Sequence, residues 1–430
     1  MLLVTLPAST AERLAVEAEL RKRGWPSADS PAAAAVLLVA GQPGDQDLEW
    51  LRKLWEAMPQ PKAYAVSIGL DDSPRALDHA REILGSEVVG AGPAVPAVPH
   101  EPQADPAHHG DQAGHAHEEH HADQGDAEHH HGGQSFHDDE SRHDGHAGHD
   151  EHAGHEEEHG GHGGHAGHHG GVVGGLPMAE RAEDRDGLRL DRLHLSLGPA
   201  LPDWPAGLVL DVALQGDVVQ HVQVTSSTGA AGHRRPFWDD PWLRAADGDQ
   251  VPRGAAERRR CAAHLDSLGR FLAVAGWPGP AERARGLRDA VLTGAGKRDL
   301  ARDVRRFHRR VAGSRTFRRL MNGLGELPAE RAGELGITGP ALVADGDVYA
   351  RVRVWLDAVE RSLERFDDGS PMAADETDGP RGRLGGERPP SHALIDAIPV
   401  LVRGAEFACA RLIVASLDPD PDELRGGAHG

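Results

Sequence analysis

Apolar positions fall into three stretches of different character along the 430 residues. In residues 1–95 they come as short continuous runs, Leu2–Leu6, Ala34–Ala40 and Ala63–Ile68. Between them lie segments with helical spacing: Ala11–Arg23, with Ser9-Thr10 as a candidate N-cap, and Asp47–Met58, where Leu48, Leu51, Leu54 and Trp55 share a face. Continuous apolar runs suit strands covered on both faces, so the β-α-β-α-β order predicts a small parallel α/β domain. In residues 96–172 apolar side chains all but vanish. They return in residues 173–430, where Leu188–Leu197 and Gly207–Thr225 read as strands and Gly216-Asp217 marks a hairpin. After Pro252 the spacing turns helical over Arg258–Ala275, Pro280–Leu292, Asp299–Val311, Gly346–Phe366 and Ala393–Ser416, interrupted by a Gly, Pro and Asp-rich loop at 367–390. The predicted fold class is therefore α/β plus α+β. A small parallel α/β domain (1–95) is joined by a disordered His-rich linker (96–172) to a β-hairpin module (173–230) with a helical bundle (252–430).

The middle stretch changes the chemical picture. It holds 21 of the 29 histidines, interspersed with Gly, Ala, Asp and Glu, and too little apolar surface to offset the entropy of ordering. Neutral imidazole ligates Ni²⁺, Zn²⁺ and Cu²⁺, and neighbouring carboxylates raise the local cation concentration. The candidate metal ligands are His108, His109, His115, His117, His120, His121, His129, His130, His131, His143, His146, His149, His152 and His155. A soluble spacer and a pH sensor are the other readings of the same residues.

Charge and cysteine content narrow the function class. The formal net charge is −22, and residues 100–171 contribute −16 of it, from 17 Asp or Glu against Arg142. That balance argues against nucleic acid as a partner. Two distant cysteines, Cys261 and Cys409, exclude a disulfide framework and suit a cytosolic compartment. No apolar run reaches the roughly 20 residues of a membrane span, and the N-terminus lacks a signal-peptide pattern. Membrane association, peripheral on the inner face, is expected only through partners.

Three runs in the first region, Val36–Gly41, Leu51–Lys62 with Met58-Pro59-Gln60-Pro61-Lys62, and Val66–Gly69, resemble the cluster-bearing small subunit of complex I and of membrane-bound nickel–iron hydrogenases. The second region resembles their large subunit, in the family's order. The carriers are Gly198-Pro199 with the Leu208–Val224 hairpin, Arg260–Gly269 with Ala275-Gly276, Gly313–Thr316 through Leu335–Pro340 and Asp347–Arg351, and Leu412–Pro419. The chain thus resembles a fused, degenerate small-plus-large pair, which implies that the two regions pack together.

The departures bear on function. Iron–sulfur clusters need thiolates, and residues 1–95 contain no cysteine; Asp71 stands where one family cysteine would follow the Met-Gly-x motif. Where the hydrogenases bind nickel through Asp-Pro-Cys-x-x-Cys, this chain has Asp418-Pro419-Asp420-Pro421-Asp422-Glu423, with Asp420 and Glu423 at the thiolate positions. The second Cys-x-x-Cys is missing between Trp242 and Arg258. The family's quinone site uses a His in the β-module and a Tyr. The loop here, Ala200–Ala206, has no His, and the tyrosines are Tyr64 and Tyr349. No catalytic residue and no resident cofactor carries over.

The expected function is a subunit or assembly component of a complex-I-like (NADH-quinone oxidoreductase) or hydrogenase-like membrane complex, not catalytic alone. The alternatives are nickel or zinc handling by the linker, and a surviving part in quinone-linked electron transfer. Other residues read blandly. His264, Cys261 and Cys409 are expected to pack; Asp418–Glu423 to form a solvated acidic tail, with hard-cation binding by Asp418, Asp420, Asp422 and Glu423 the alternative; and Arg302–Arg310 to line an exposed helix face, with docking of an acidic partner or of the acidic linker the alternative. Should the ordered regions hold a metal, His194, His221, His233, His264 and the Asp418–Glu423 cluster are the further candidates.

Overall fold

The computed structural model describes residues 1–86, 189–226 and 235–425, together with short strands β4 (Val172–Val173), β5 (Leu176–Pro177) and β6 (Arg181–Glu183). The fourteen linker histidines named above, and His233, lie outside the described residues.

The first region runs β1 (Leu2–Thr5), α1 (Thr10–Arg23), β2 (Val36–Ala40), α2 (Asp45–Glu56), β3 (Ala63–Ser67) and α3 (Ser73–Gly85). The strands form a parallel sheet in the order β1-β2-β3, with Leu2 opposite Leu37 and Val36 opposite Ala63. Every residue of β2 is buried because helices cover both faces. Val16 and Leu20 of α1 pack with Leu77 and Ala80 of α3 on one face, and Leu51 of α2 packs on the other. The α3 helix had no counterpart in the apolar pattern, since its buried positions are mostly small: Ser73, Ala76 and Ala80 beside Leu77.

The second region continues with β7 (Arg189–Leu197), β8 (Leu208–Gln215) and β9 (Val218–Ser226), an antiparallel sheet in the order β6-β7-β8-β9. The turn between β8 and β9 falls at Gly216-Asp217 as expected, with Gly216 at φ 63°, a conformation glycine adopts without Cβ strain. Leu208, Leu210, Val212 and Leu214 alternate into the core; full burial of each contributes roughly 1.5–3 kcal/mol.

The helices follow in order: α4 (Asp240–Ala246), α5 (Arg253–Val274), α6 (Pro278–Leu292), α7 (Lys297–Ala312), α8 (Arg315–Met321), α9 (Ala329–Glu334), α10 (Gly339–Ala344), α11 (Val348–Glu364), α12 (Pro390–Val402) and α13 (Phe407–Leu417). The bundle centres on α5, whose Cys261–Gly269 stretch is wholly buried. Gly269 permits the close approach of α6, because a Cβ there would stand 3.1 Å from Cγ of Arg285. None of the described helices is long and apolar enough to cross a membrane.

One expected helix is two. The Ala393–Ser416 periodicity spans α12 and α13, which break at 403–406. Gly404 turns there at φ 80°. The freed backbone pairs with the hairpin: Val219 N–H donates to Ala405 O at 2.9 Å, Gly404 N–H to Val219 O at 2.8 Å, and Phe407 N–H to Asp217 O at 2.7 Å. Non-local hydrogen bonds to β9 thus replace local helical ones, which spacing alone does not reveal.

The described residues of 1–96 and 170–430 form one compact unit. The two regions meet along α1, which lies against α6, and along the β1–α1 loop, which meets the C-terminal turn.

Candidate functional site

Among the described residues, the densest groups of buried charged side chains lie at this meeting of the two regions and at the C-terminal turn. Asp266, on the core-facing side of α5, is 1 % exposed and engages three arginines. Arg13 of α1 grips it through two bonds, at 2.7 and 3.0 Å, Arg288 of α6 donates at 2.6 Å, and Arg270 Nε lies at 3.3 Å. Glu17, one turn along α1, accepts from Arg13 at 2.8 Å and from Arg288 at 2.7 Å. Arg21 pairs with Asp289 on the same seam. Burial alone would raise the Asp266 carboxyl, but Arg13, Arg270 and Arg288 hold it well below the usual carboxylate range. Glu17 is likewise held at about 2, where Arg13 and Arg288 outweigh burial.

The second cluster lies at the C-terminal turn. Asp418 ends α13 in a left-handed conformation, φ 51°, and so directs Pro419–Glu423 back into the protein. Far from being a solvated tail, Asp418, Asp420, Asp422 and Glu423 are all buried. The reason is tertiary: each finds a partner from another element. Asp418 accepts from Ser267 Oγ at 2.6 Å and pairs with Arg270 and, at 2.9 Å, with Arg381. Arg381, from the 367–390 loop, also donates to the Asp418 carbonyl at 2.7 Å and lies 3.6 Å from Asp420. Asp422 accepts from Ala8 N–H in the β1–α1 loop at 2.6 Å, and Glu423 accepts from Ser391 N–H at 2.8 Å. Asp239, just before α4, completes the group at 1 % exposure.

Carboxylates outnumber guanidiniums here, and the proton equilibria follow. Burial raises Asp239 to about 7, an effect that Arg381 opposes and Asp420 reinforces. Burial with the neighbouring Asp420 raises Asp422 to about 7. Glu423 is raised well above its ordinary value by burial and by Asp239. Neither oxygen of Asp239, nor Oε1 of Glu423, has another hydrogen-bond partner. Bringing these two buried carboxyls together favours their protonated forms, in line with their raised values. A cavity of about 30 Å³, lined by Arg13, Trp204, Trp238, Arg270, Arg381 and Asp420, adjoins the cluster and has room for a water. A larger one of about 590 Å³ opens beside it, between Thr10, Phe237, Arg259 and Asp422.

These residues do not suit the metal centres that the resemblance implies. Their donors are hard carboxylate oxygens, whereas nickel–iron and iron–sulfur sites take thiolates. Asp418 and Asp420 face guanidinium groups, which compete with any cation. Among the described residues no group of three His, Cys, Asp or Glu is placed to share an ion.

The remaining sequence candidates are scattered. His264 is buried in α5, and burial, with Arg260 and Arg381 nearby, lowers it to about 3, so its ring stays neutral. Cys261 is buried, its thiol pushed up by burial, with Val359 O at 3.8 Å. Cys409 is half-buried. His194 and His221 are exposed on the sheet, both opposite Ala213. Tyr349 spends its hydroxyl on Ala312 O at 2.9 Å, and Tyr64 packs edge-on to Trp55. Arg302, Arg305, Arg306, Arg309 and Arg310 are exposed. Asp239, Asp266 and Arg381 were not singled out from the sequence. Asp266 had a signal, a charged residue on the buried face of an amphipathic helix; Arg381 in its loop had none.

No family model matches the chain, and no curated protein matches it. Among solved structures it is similar to a chain of the membrane-bound sulfane sulfur reductase, an archaeal respiratory membrane complex. The TM-score is 0.42 and the identity 15 %, over 54 % of this chain and 98 % of that one.

Proposed function

We propose that the protein is a subunit or assembly component of a complex-I-like or hydrogenase-like membrane complex, and that it has no redox centre of its own. The observation that carries this reading is the C-terminal turn. The side chains at the family's thiolate positions, Asp420 and Glu423, are carboxylates committed to Arg381 and to Ser391 N–H. The join of the two regions is itself closed by the ion pairs of Arg13 with Asp266, Glu17 with Arg288 and Arg21 with Asp289, as suits a structural piece whose partners do the chemistry. Affinity capture of the tagged full chain from solubilised membranes, with partners identified by mass spectrometry, tests it. Membrane-embedded subunits of one respiratory complex should co-purify, and iron and acid-labile sulfide should read at background. A stoichiometric iron–sulfur cluster, or recovery with nickel-maturation factors alone, would sink the reading.

The 21 histidines between His100 and His169 favour a second reading, nickel or zinc handling by that segment. Protons compete for imidazole, so affinity should fall below about pH 6. Removing residues 100–171 should abolish most nickel and zinc uptake in equilibrium dialysis. If the shortened chain kept one tight metal, its ligands would lie elsewhere.

A further inference from the structure

The α7 and α8 helices carry a charge distribution unlike the rest of the molecule. Nine arginines and two aspartates lie between residues 298 and 319, and all nine arginines are exposed. Arg298, Arg302, Arg305 and Arg309 recur at i, i+4, i+7 and i+11, which places them on one stripe of α7. The stripe lies opposite Leu300, Val304, Phe307 and Val311, which are buried in the bundle, so packing holds it outward. Asp299 and Asp303 fall on the flank, where Asp303 pairs with Arg283 at 2.8 Å. No carboxylate among the described residues comes within ion-pair distance of the stripe or of Arg315 and Arg319 on α8. Elsewhere arginines are typically paired, as Arg13, Arg270, Arg288 and Arg381 are. Leu320 projects from the same short helix at 68 % exposure.

We propose that this arginine face docks on an anionic lipid surface. Guanidiniums that lack an ion-pair partner among the described residues, carried on one helix face, suit a planar layer of negative headgroups, which demands charge density and no shape complementarity. A protein interface needs an apolar core, and the α7 stripe carries none; Leu320, exposed on α8, is the one large apolar side chain standing out from these two helices among the described residues. That leucine adds nothing to a phosphate backbone, but it can enter the headgroup–acyl boundary and so favours lipid over nucleic acid. The inference stands on this face alone and is independent of which complex the chain joins.

Vesicle flotation of the full chain tests it, with phosphatidylcholine alone and with added phosphatidylglycerol. Binding should require the anionic lipid and decline as salt is raised. The triple variant Arg302→Gln, Arg305→Gln, Arg309→Gln should lower partitioning about tenfold or more, and Leu320→Ala by a smaller factor. Arg52→Gln and Arg388→Gln, exposed arginines on other elements, should change nothing. Unchanged melting of the triple variant would confirm that only the surface was altered. Equal binding to neutral vesicles, no binding, or indifference to the triple variant would overturn the proposal. So would loss of binding to duplex DNA or to polyglutamate in the triple variant while vesicle binding persisted; that would assign the face to nucleic acid or to an acidic protein.

Discussion

The α1–α5–α6 seam and the C-terminal turn are built from the same two groups, buried carboxylate and buried guanidinium, in opposite proportion. At the seam Asp266 is shared by Arg13, Arg270 and Arg288, and its carboxyl is held far below its ordinary range. At the turn Asp239, Asp420, Asp422 and Glu423 crowd around Arg381, and three of them are raised instead. Burial acts in the same direction in both places; the local count of positive charge decides the sign. The seam therefore favours the charged form of Asp266, while the turn favours the protonated form of Asp239, Asp422 and Glu423.

The largest expected effect comes from taking the carboxylate out of the seam. Asp266→Ala would leave three buried guanidiniums without their common partner, and breaking a buried pair in this way costs about 3–5 kcal/mol. Denaturant unfolding should show that loss; a change near zero would mean that the seam is wetter than its geometry implies. A depressed carboxyl contributes stability above its unfolded value, and that contribution is lost as pH falls through the folded value. The share of Glu17 should therefore persist down to about pH 4.5 and that of Asp266 down to pH 3.8, each weakening below.

At the turn the sign reverses. Arg381→Met removes the charge facing Asp418 and Asp420, and should cost roughly 3 kcal/mol near neutral pH. The cost should shrink by about pH 5, where protonation of Asp239, Asp422 and Glu423 removes their share of the repulsion. A loss independent of pH between those points would argue against a proton-holding cluster. Asp239→Asn is expected to do less. Its folded value is raised from 3.8 to about 7, so the native state binds the extra proton within that window and stability declines as pH rises through it. The amide should flatten this decline and stabilise the protein at about pH 8, where the native carboxyl would be charged. Thermal melts across pH that keep the original slope would locate the titrating group elsewhere. The smallest change is expected for Asp422→Asn, which keeps an oxygen for Ala8 N–H and should shift stability by less than about 1 kcal/mol.

Much of the fold was legible along the chain. The runs Leu2–Leu6, Ala34–Ala40 and Ala63–Ile68 became β1, β2 and β3, and Gly216-Asp217 turned the hairpin, because burial on two faces and left-handed turns are demands that single residues meet. The spacing Leu300, Val304, Phe307, Val311 likewise settled which side of α7 faces inward, and so which arginines face out. Tertiary structure decided the rest. Asp420 and Glu423 look like a hydrated acidic end until Arg381, some forty residues earlier in an irregular loop, and Ser391 arrive beside them. The break between α12 and α13 depends on hydrogen bonds from β9, and the fate of Asp266 on an arginine of α1, 253 residues away. Local periodicity reports the free energy of hiding apolar surface, which each segment expresses by itself. The ionisation and burial of a carboxylate depend on which charges lie within a few ångströms, and that is known only once distant segments have met.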